Sequence, residues 1–171
     1  GIVQKYSGRA LLLVAGGCAV NCRYCFRRHF PYGDNALGRG ERDEALAWLA
    51  DQADLEELIL SGGDPLLAGD GYLAELVDAL ARLPRLKTLR VHTRLPVVIP
   101  DRVTPGLLDA LDRDGLNSVV VLHANHGNEI DEAVRAACAR LRARGVTLLN
   151  QAVLLAGVND SADALAGLSD A

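Results

Sequence analysis

Residues 10–26 read ALLLVAGGCAVNCRYCF, an apolar run, two glycines, and cysteines at positions 18, 22 and 25. The run has no polar residue, the pattern of a strand buried on both faces of a parallel sheet. The cysteines have the spacing C-x3-C-x2-C. Three thiolates so close together are hard to explain as packing. Three is also one short of the four protein ligands that a closed iron–sulfur or zinc site takes. A four-iron cluster held by Cys18, Cys22 and Cys25 keeps one iron without a protein ligand, open to something else. Zinc is the alternative, since His29 follows Cys25 by four positions and would complete a Cys3His set. Zinc loops usually pair their ligands in two separated knuckles, which this sequence lacks, so the cluster is the preferred reading. Gly16 and Gly17 permit the close backbone approach that a cluster demands.

The composition suits a soluble globular protein. Of the 171 residues, 50% are hydrophobic and 23% charged, and the net charge is −4. A domain of about this size buries roughly 70% of its unfolded-chain surface, enough for one substantial core. The apolar runs ALLLVA and SVVVL are far too short to span a bilayer, and no basic segment with a following apolar stretch opens the chain as a signal peptide would. The acidic balance argues against a general nucleic-acid surface, although Arg23, Arg27 and Arg28 gather beside the cysteines. Crowded thiols with an odd one over do not make a disulfide framework, and thiolates that hold metal belong in a reducing cytoplasm. Cys138, among apolar neighbours in EIDEAVRAACARLRARG, reads as a small core residue. A start at Gly1, the absence of methionine and a stop soon after a helix cap at Ser161 point to a piece of a longer protein.

Strand and helix patterns alternate along the chain. Strands are expected at Ala10–Ala15, Glu57–Ser61, Leu89–Thr93, Ser118–His123 and Val146–Leu154. Helices are expected near Glu41–Asp51, Tyr72–Leu83, Pro105–Asp112 and Glu129–Arg144, the last stopped by Gly145, with another begun in GVNDSADALAGL. Apolar strands separated by helices indicate a parallel sheet covered by helices. Five βα units without a duplicated half favour a partial barrel over a doubly wound sheet. The polar residues support this: the cysteine loop, SGGD, HTR, the His123–His126 segment and Asn150–Gln151 all fall near the ends of successive strands, where βα barrels carry their active sites. No linker divides residues 1–171, which read as one domain.

With these motifs assembled, the chain resembles the radical S-adenosylmethionine (SAM) superfamily, and within it the lysine 2,3-aminomutase family. CRYCFRRHFPY, LSGGDPLL, HTRLPVVIP, HANHGNEID and LLNQAVLLAGVND follow that family's order, and CFRRHFPY is most similar to the branch that makes β-lysine for elongation factor P. The resemblance implies an α/β fold, a partial (β/α) radical SAM barrel of parallel strands with outer helices. It implies a [4Fe-4S] cluster on Cys18, Cys22 and Cys25, with SAM on the open iron. It assigns Ser61, Gly62, Gly63 and Asp64 to the methionine end of SAM, His123 to the adenosine, and Gln151 to the ribose. Thr93 and Arg94 end a strand at the same cofactor rim. Arg27 matches the family's arginine for the substrate carboxylate, a role that suits a guanidinium fork, and Arg9 matches an arginine near pyridoxal 5′-phosphate (PLP).

Each assignment has a plainer competitor. The two glycines of SGGDP free the backbone to approach a ligand, or serve an ordinary turn that Asp64 holds. His126 reads equally as a loop hydrogen bonder or a site residue. Arg27 and Arg28 also suit cluster electrostatics or a surface pair, and Arg9 a solvated arginine before a strand. The PLP-bearing lysine and the acidic residues that grip the substrate ammonium belong to the family's C-terminal part. Lys5 and Lys87 match neither, so this chain alone is not expected to complete the reaction, and its catalytic lysine lies elsewhere. Ala156 stands where the mutase pattern often has arginine.

By resemblance, the reduced cluster splits SAM, and the resulting 5′-deoxyadenosyl radical takes hydrogen from C3 of lysine held on PLP, giving β-lysine. The partners implied are lysine, elongation factor P and the ligase that transfers the product; a homo-oligomer is compatible, and neither nucleic acid nor a membrane is expected. The competing functions are a metabolic lysine 2,3-aminomutase, a radical SAM enzyme without PLP, and a zinc-binding interaction module.

Overall fold

The apolar run at the start of the cysteine segment is an inner strand of a sheet. The computed structural model describes residues 1–25, 29 and 39–171. Among these, six strands form one sheet: β1 (Ile2–Tyr6), β2 (Arg9–Ala15), β3 (Glu57–Gly62), β4 (Thr88–Thr93), β5 (Asn117–His123) and β6 (Thr147–Gln151). Their order in the sheet is their order in the chain. β2 to β6 run parallel, in registers such as Leu12 with Leu60 and Val91 with Val120, while β1 pairs antiparallel with β2. The helices are α1 (Arg39–Ala50), α2 (Asp70–Ala81), the short α3 (Leu95–Val98), α4 (Pro105–Leu111), α5 (Glu132–Ala143) and α6 (Ala162–Asp170).

Side-chain periodicity explains the layering. Alternate residues point to one face of a strand, and Leu58, Leu60, Leu89, Val91, Val120 and Leu122 are buried on the helix side. They meet Leu73, Leu76, Val77 and Leu80 of α2 and Leu107 and Leu111 of α4 in one apolar cluster. The α2 set follows helical spacing, so one stripe of that helix is dry. Each fully buried leucine contributes roughly 1.5–3 kcal/mol. Helix starts are fixed by caps: Thr104 accepts from Leu107 N, Asp131 from Val134 N, and Ser161 from Ala164 N. Gly145, with φ +75°, follows the last turn of α5, where a left-handed residue ends the helix.

The opposite face of the sheet is less fully covered and carries polar residues. Near its lower end Glu57 accepts from Arg90 Nε at 2.5 Å and from Arg9 Nε. Burial alone raises the Glu57 carboxyl, but the two guanidiniums outweigh it and hold the group below its ordinary value.

The expected partial barrel of parallel strands and outer helices is what forms, with corrections at its margins. β1 is an added antiparallel edge. Its sequence IVQKY has no apolar alternation and is largely exposed, so backbone pairing holds it and periodicity gives no signal. β6 stops at Gln151 rather than Leu154, and Glu129 sits in a separate 3-10 turn, Gly127–Glu129, ahead of α5. Cys138 packs half-buried against the core, and burial pushes its thiol up.

Candidate functional site

The upper ends of the parallel strands are tied to one another by short polar contacts. After β3, Gly63 N–H donates to Ala15 O at 2.8 Å, and Asp64 N–H to Gly17 O at 2.8 Å. Both glycines of SGGD face backbone: a Cβ on Gly62, whose φ is +127°, would lie 2.3 Å from Ala15 O, and one on Gly63 would lie 2.0 Å from Gly17 O. Glycine is therefore required for the turn to press against the strand leading into the cysteine loop. The two N–H groups at Gly63 and Asp64 serve that contact rather than facing a ligand.

Asp64 carries the contact onward to the next strand. Its Oδ1 accepts from Leu66 N at 3.0 Å and Thr93 Oγ1 at 2.7 Å, and its Oδ2 from Arg94 N at 2.8 Å and Leu95 N at 3.2 Å. Burial pushes the Asp64 carboxyl up, and the four donors partly offset that push. Thr93 is spoken for in the same knot.

At the ends of β4 and β5 a second knot reaches the cysteine loop. Arg94 donates through Nη1 to Tyr24 Oη at 2.5 Å and His123 O at 3.1 Å, and through Nη2 to Glu129 Oε2 at 2.5 Å. Glu129 Oε1 accepts from Asn125 N and His126 N. His126 Nδ1 accepts from Asn128 N at 3.1 Å, which resolves its two readings in favour of a loop cap. Asn125 Nδ2 donates to Tyr24 Oη at 2.7 Å, and its Oδ1 accepts from Val153 N at 2.8 Å. Fully buried Asn159 closes the loop after β6 by donating to Asn125 O and Val153 O.

Between these knots lies a cleft of about 920 Å3, counting the solvent at its mouth. Its walls include Cys18, Cys22 and Cys25, then Ser61, Gly62, Gly63 and Asp64, then Thr93, Arg94, His123 and Gln151. Apolar side chains of Leu95, Val98, Val121 and Val153 complete them. His123 stands out: its Nε2 is buried in the cleft wall without a hydrogen-bond partner in the protein. Burial and the Arg94 charge push its pKa down, so the ring is neutral near pH 7. A buried unpaired nitrogen costs about 1–3 kcal/mol, and a polar ligand atom would satisfy it.

Two expected site residues stand apart. Arg9 begins β2, six residues from Ala15 and so about 20 Å from the cysteine end, paired with Glu57. By strand alternation it lies on the same face of the sheet as the cleft, but the structure does not bring it into the cleft. Arg27 lies outside the described residues. No disulfide joins the cysteines. Among the described residues no three Cys, His, Asp or Glu side chains converge tightly enough to hold a metal as they stand. The donor set nevertheless fits a soft iron–sulfur group, because all three thiols open onto one cleft. It does not fit PLP: Lys5 sits beside the Tyr6 ring on β1, and Lys87 pairs with Glu56, so neither lysine reaches the cleft.

Sequence reasoning missed Tyr24, Asn125, Glu129 and His92. The last was within reach, since His92 shares a strand face with Arg90 and lines the cleft. The side chains of Tyr24 and Asn125 carry no local signal, because their partners lie far away in the chain. Glu129 caps the nearby N–H groups of Asn125 and His126, but its pairing with Arg94 spans 35 residues.

Residues 12–167 match the family model described as the Radical SAM superfamily. The chain is 54% identical to the L-lysine 2,3-aminomutase of Escherichia coli (strain K12) over 171 residues, covering 100% of this chain and 50% of that protein. It is 52% identical to the L-lysine 2,3-aminomutase of Haemophilus influenzae over 169 residues, covering 99% and 50%. The chain thus spans about half the length of these relatives. A solved structure described as "Native anSMEcpe with bound AdoMet" superposes with a TM-score of 0.71 at 15% identity, covering 94% of this chain and 47% of that one, a likeness of fold.

Proposed function

We propose, since this chain belongs to the radical SAM superfamily, that it forms the cluster- and SAM-binding part of an enzyme that converts lysine to β-lysine. One observation carries the reading: the three cysteines share a cleft with the unpartnered His123 Nε2, in a chain 54% identical throughout to a named lysine 2,3-aminomutase. When bound, the cluster and SAM would supply a carbon radical able to take hydrogen from an unactivated position. The residues of this chain hold, orient and shield.

In this reading Cys18, Cys22 and Cys25 ligate the cluster. Ser61 to Gly63 form the wall beside it, kept thin at Gly62 and Gly63 by the absence of side chains. His123, neutral at pH 7, offers Nε2 to the adenosine, and the Gln151 amide serves the ribose. Thr93 and Asp64 brace that rim, and Arg94 acts through its protein partners. The apolar walls keep water from the reacting atoms. Arg27 is assigned to the substrate carboxylate. PLP assistance, and with it the role of Arg9, belongs to the whole enzyme, and no step is assigned to PLP from this chain's residues. Delivery of β-lysine to elongation factor P in the cytoplasm is the preferred use, on the strength of CFRRHFPY. The relatives' names fit a metabolic aminomutase equally.

The test is anaerobic reconstitution of the full-length protein, with assays for iron, sulfide, 5′-deoxyadenosine and the chirality of any β-lysine. Iron and sulfide in equal amounts, lost on changing any of Cys18, Cys22 or Cys25 to alanine, are expected. Zinc without iron would sink the reading, and transfer of the product to elongation factor P separates the two uses.

A further inference from the structure

The Tyr24 hydroxyl enters a socket that is assembled without it. Arg94 Nη1 donates to the phenol oxygen at 2.5 Å and Asn125 Nδ2 at 2.7 Å. Glu129 holds these two donors together: its Oε2 accepts from Arg94 Nη2 at 2.5 Å and its Oε1 from Asn125 N at 2.7 Å. The side chains of Arg94 and Glu129 are only 19% and 25% exposed, so their contact is screened less than a surface pair. Asn125 is fixed again from the loop after β6, where its Oδ1 accepts from Val153 N and its carbonyl from Asn159 Nδ2. One oxygen of the cysteine loop thus meets donors 70 and 101 residues further along the chain.

The same Arg94 Nη1 also donates to His123 O at 3.1 Å. A single nitrogen therefore holds both the cysteine loop and the strand end carrying His123, whose unpartnered Nε2 lies in the cleft wall. We propose that Tyr24 is a positioning residue: its hydroxyl latches the cysteine loop at a fixed spacing from His123, so that a ligand spanning the two meets both in register. The inference rests on the reading of the cleft as a cluster and SAM site, in which SAM is that ligand. A loop freed of the latch visits other spacings, and the apparent affinity for a spanning ligand falls with the fraction that stays aligned. A ligand that reaches only the His123 end does not feel the change.

The experiment uses the reconstituted full-length protein with its cluster oxidised, so that SAM stays intact. Iron and sulfide are counted, and calorimetry gives the dissociation constants of SAM and of 5′-deoxyadenosine alone. Tyr24→Phe keeps the ring, with its contacts to His123 and Arg94, and removes only the hydroxyl. It is expected to take up the cluster normally, to bind SAM about tenfold more weakly, the worth of one hydrogen bond, and to bind 5′-deoxyadenosine as before. Arg94→Lys keeps a cation for Glu129 but loses the fork that reaches Tyr24 and His123 together. It should weaken SAM as well, and the double variant should lose no more than the weaker single one, because both act through one contact.

An unchanged SAM affinity in Tyr24→Phe would overturn the latch while leaving the cluster and SAM reading standing. Equal weakening of 5′-deoxyadenosine would overturn it too, since the hydroxyl would then serve the adenosine pocket itself. So would a Tyr24→Phe protein that fails to fold or to take up the cluster, which would make the tyrosine merely structural. Additive losses in the double variant would break the link to Arg94 that the latch requires. A wild type that binds SAM but no 5′-deoxyadenosine even at high concentration would remove the separate anchor at His123, and the proposal with it. A wild type without iron and sulfide, or without SAM binding, would sink the underlying reading first.

Discussion

Asp64 does at the rim what a covalent cross-link would do less flexibly. One buried carboxylate accepts from Leu66, Thr93, Arg94 and Leu95, joining the turn after β3 to the end of β4. Asparagine has the same shape but only one acceptor oxygen, and its amide nitrogen would oppose two N–H groups. Asp64→Asn is therefore expected to destabilise the fold by about 3 kcal/mol, read as a lower urea midpoint at unchanged slope. The sequence showed Asp64 only as a turn former or a cofactor contact. Its brace to Thr93 could not be read there, because the two are 29 residues apart. Cys18, Cys22 and Cys25 were legible for the opposite reason: their meaning lies in local spacing. Tyr24 lies inside that same motif and passed unnoticed, since an aromatic between cysteines says nothing about which groups its hydroxyl will meet.

Between β3 and the cysteine loop, the contact is backbone against backbone. A methyl group at Gly63 would lie 2.0 Å from Gly17 O, and no side chain there can rotate away. Gly63→Ala should push the turn and the loop apart, costing roughly 1–3 kcal/mol and lowering cluster uptake on reconstitution together with Tm. Retention of both would mean the two segments are not packed as described. At this scale the parallel strands β2 to β6 could be read from sequence, because apolar runs between helical patterns have one economical arrangement. β1 could not, since its residues bury little and its pairing is made by peptide groups. The start of α5 was misjudged for a related reason. Glu129 has helical neighbours, but its side chain accepts from Asn125 N and His126 N and so caps a turn of its own.

For the molecule as a whole, acid sensitivity has a source far from the cleft. Glu57 is held below its ordinary value by Arg90 and Arg9 against the cost of burial. A depressed carboxyl contributes stability above its unfolded value, about 4.3, and that stability is lost as the pH falls through the lower folded value. Glu57→Gln should therefore be less stable than the wild type at pH 7, with the gap closing below about pH 4.3 in urea titrations run across pH. A constant gap would remove Glu57 from the acid response. The sheet order β1-β2-β3-β4-β5-β6 has a consequence for how the chain is made. Among the described strands, each one after the first lies beside the strand translated just before it. As the polypeptide leaves the ribosome, each of these strands in turn meets a neighbour already made. Loop closure is confined to one unit at a time, which limits the entropy lost at each step. The Cys18–Cys25 loop emerges after β2 but before β3, so its thiols are exposed until SGGD arrives to back them. Metal delivered during synthesis would find them open in that interval.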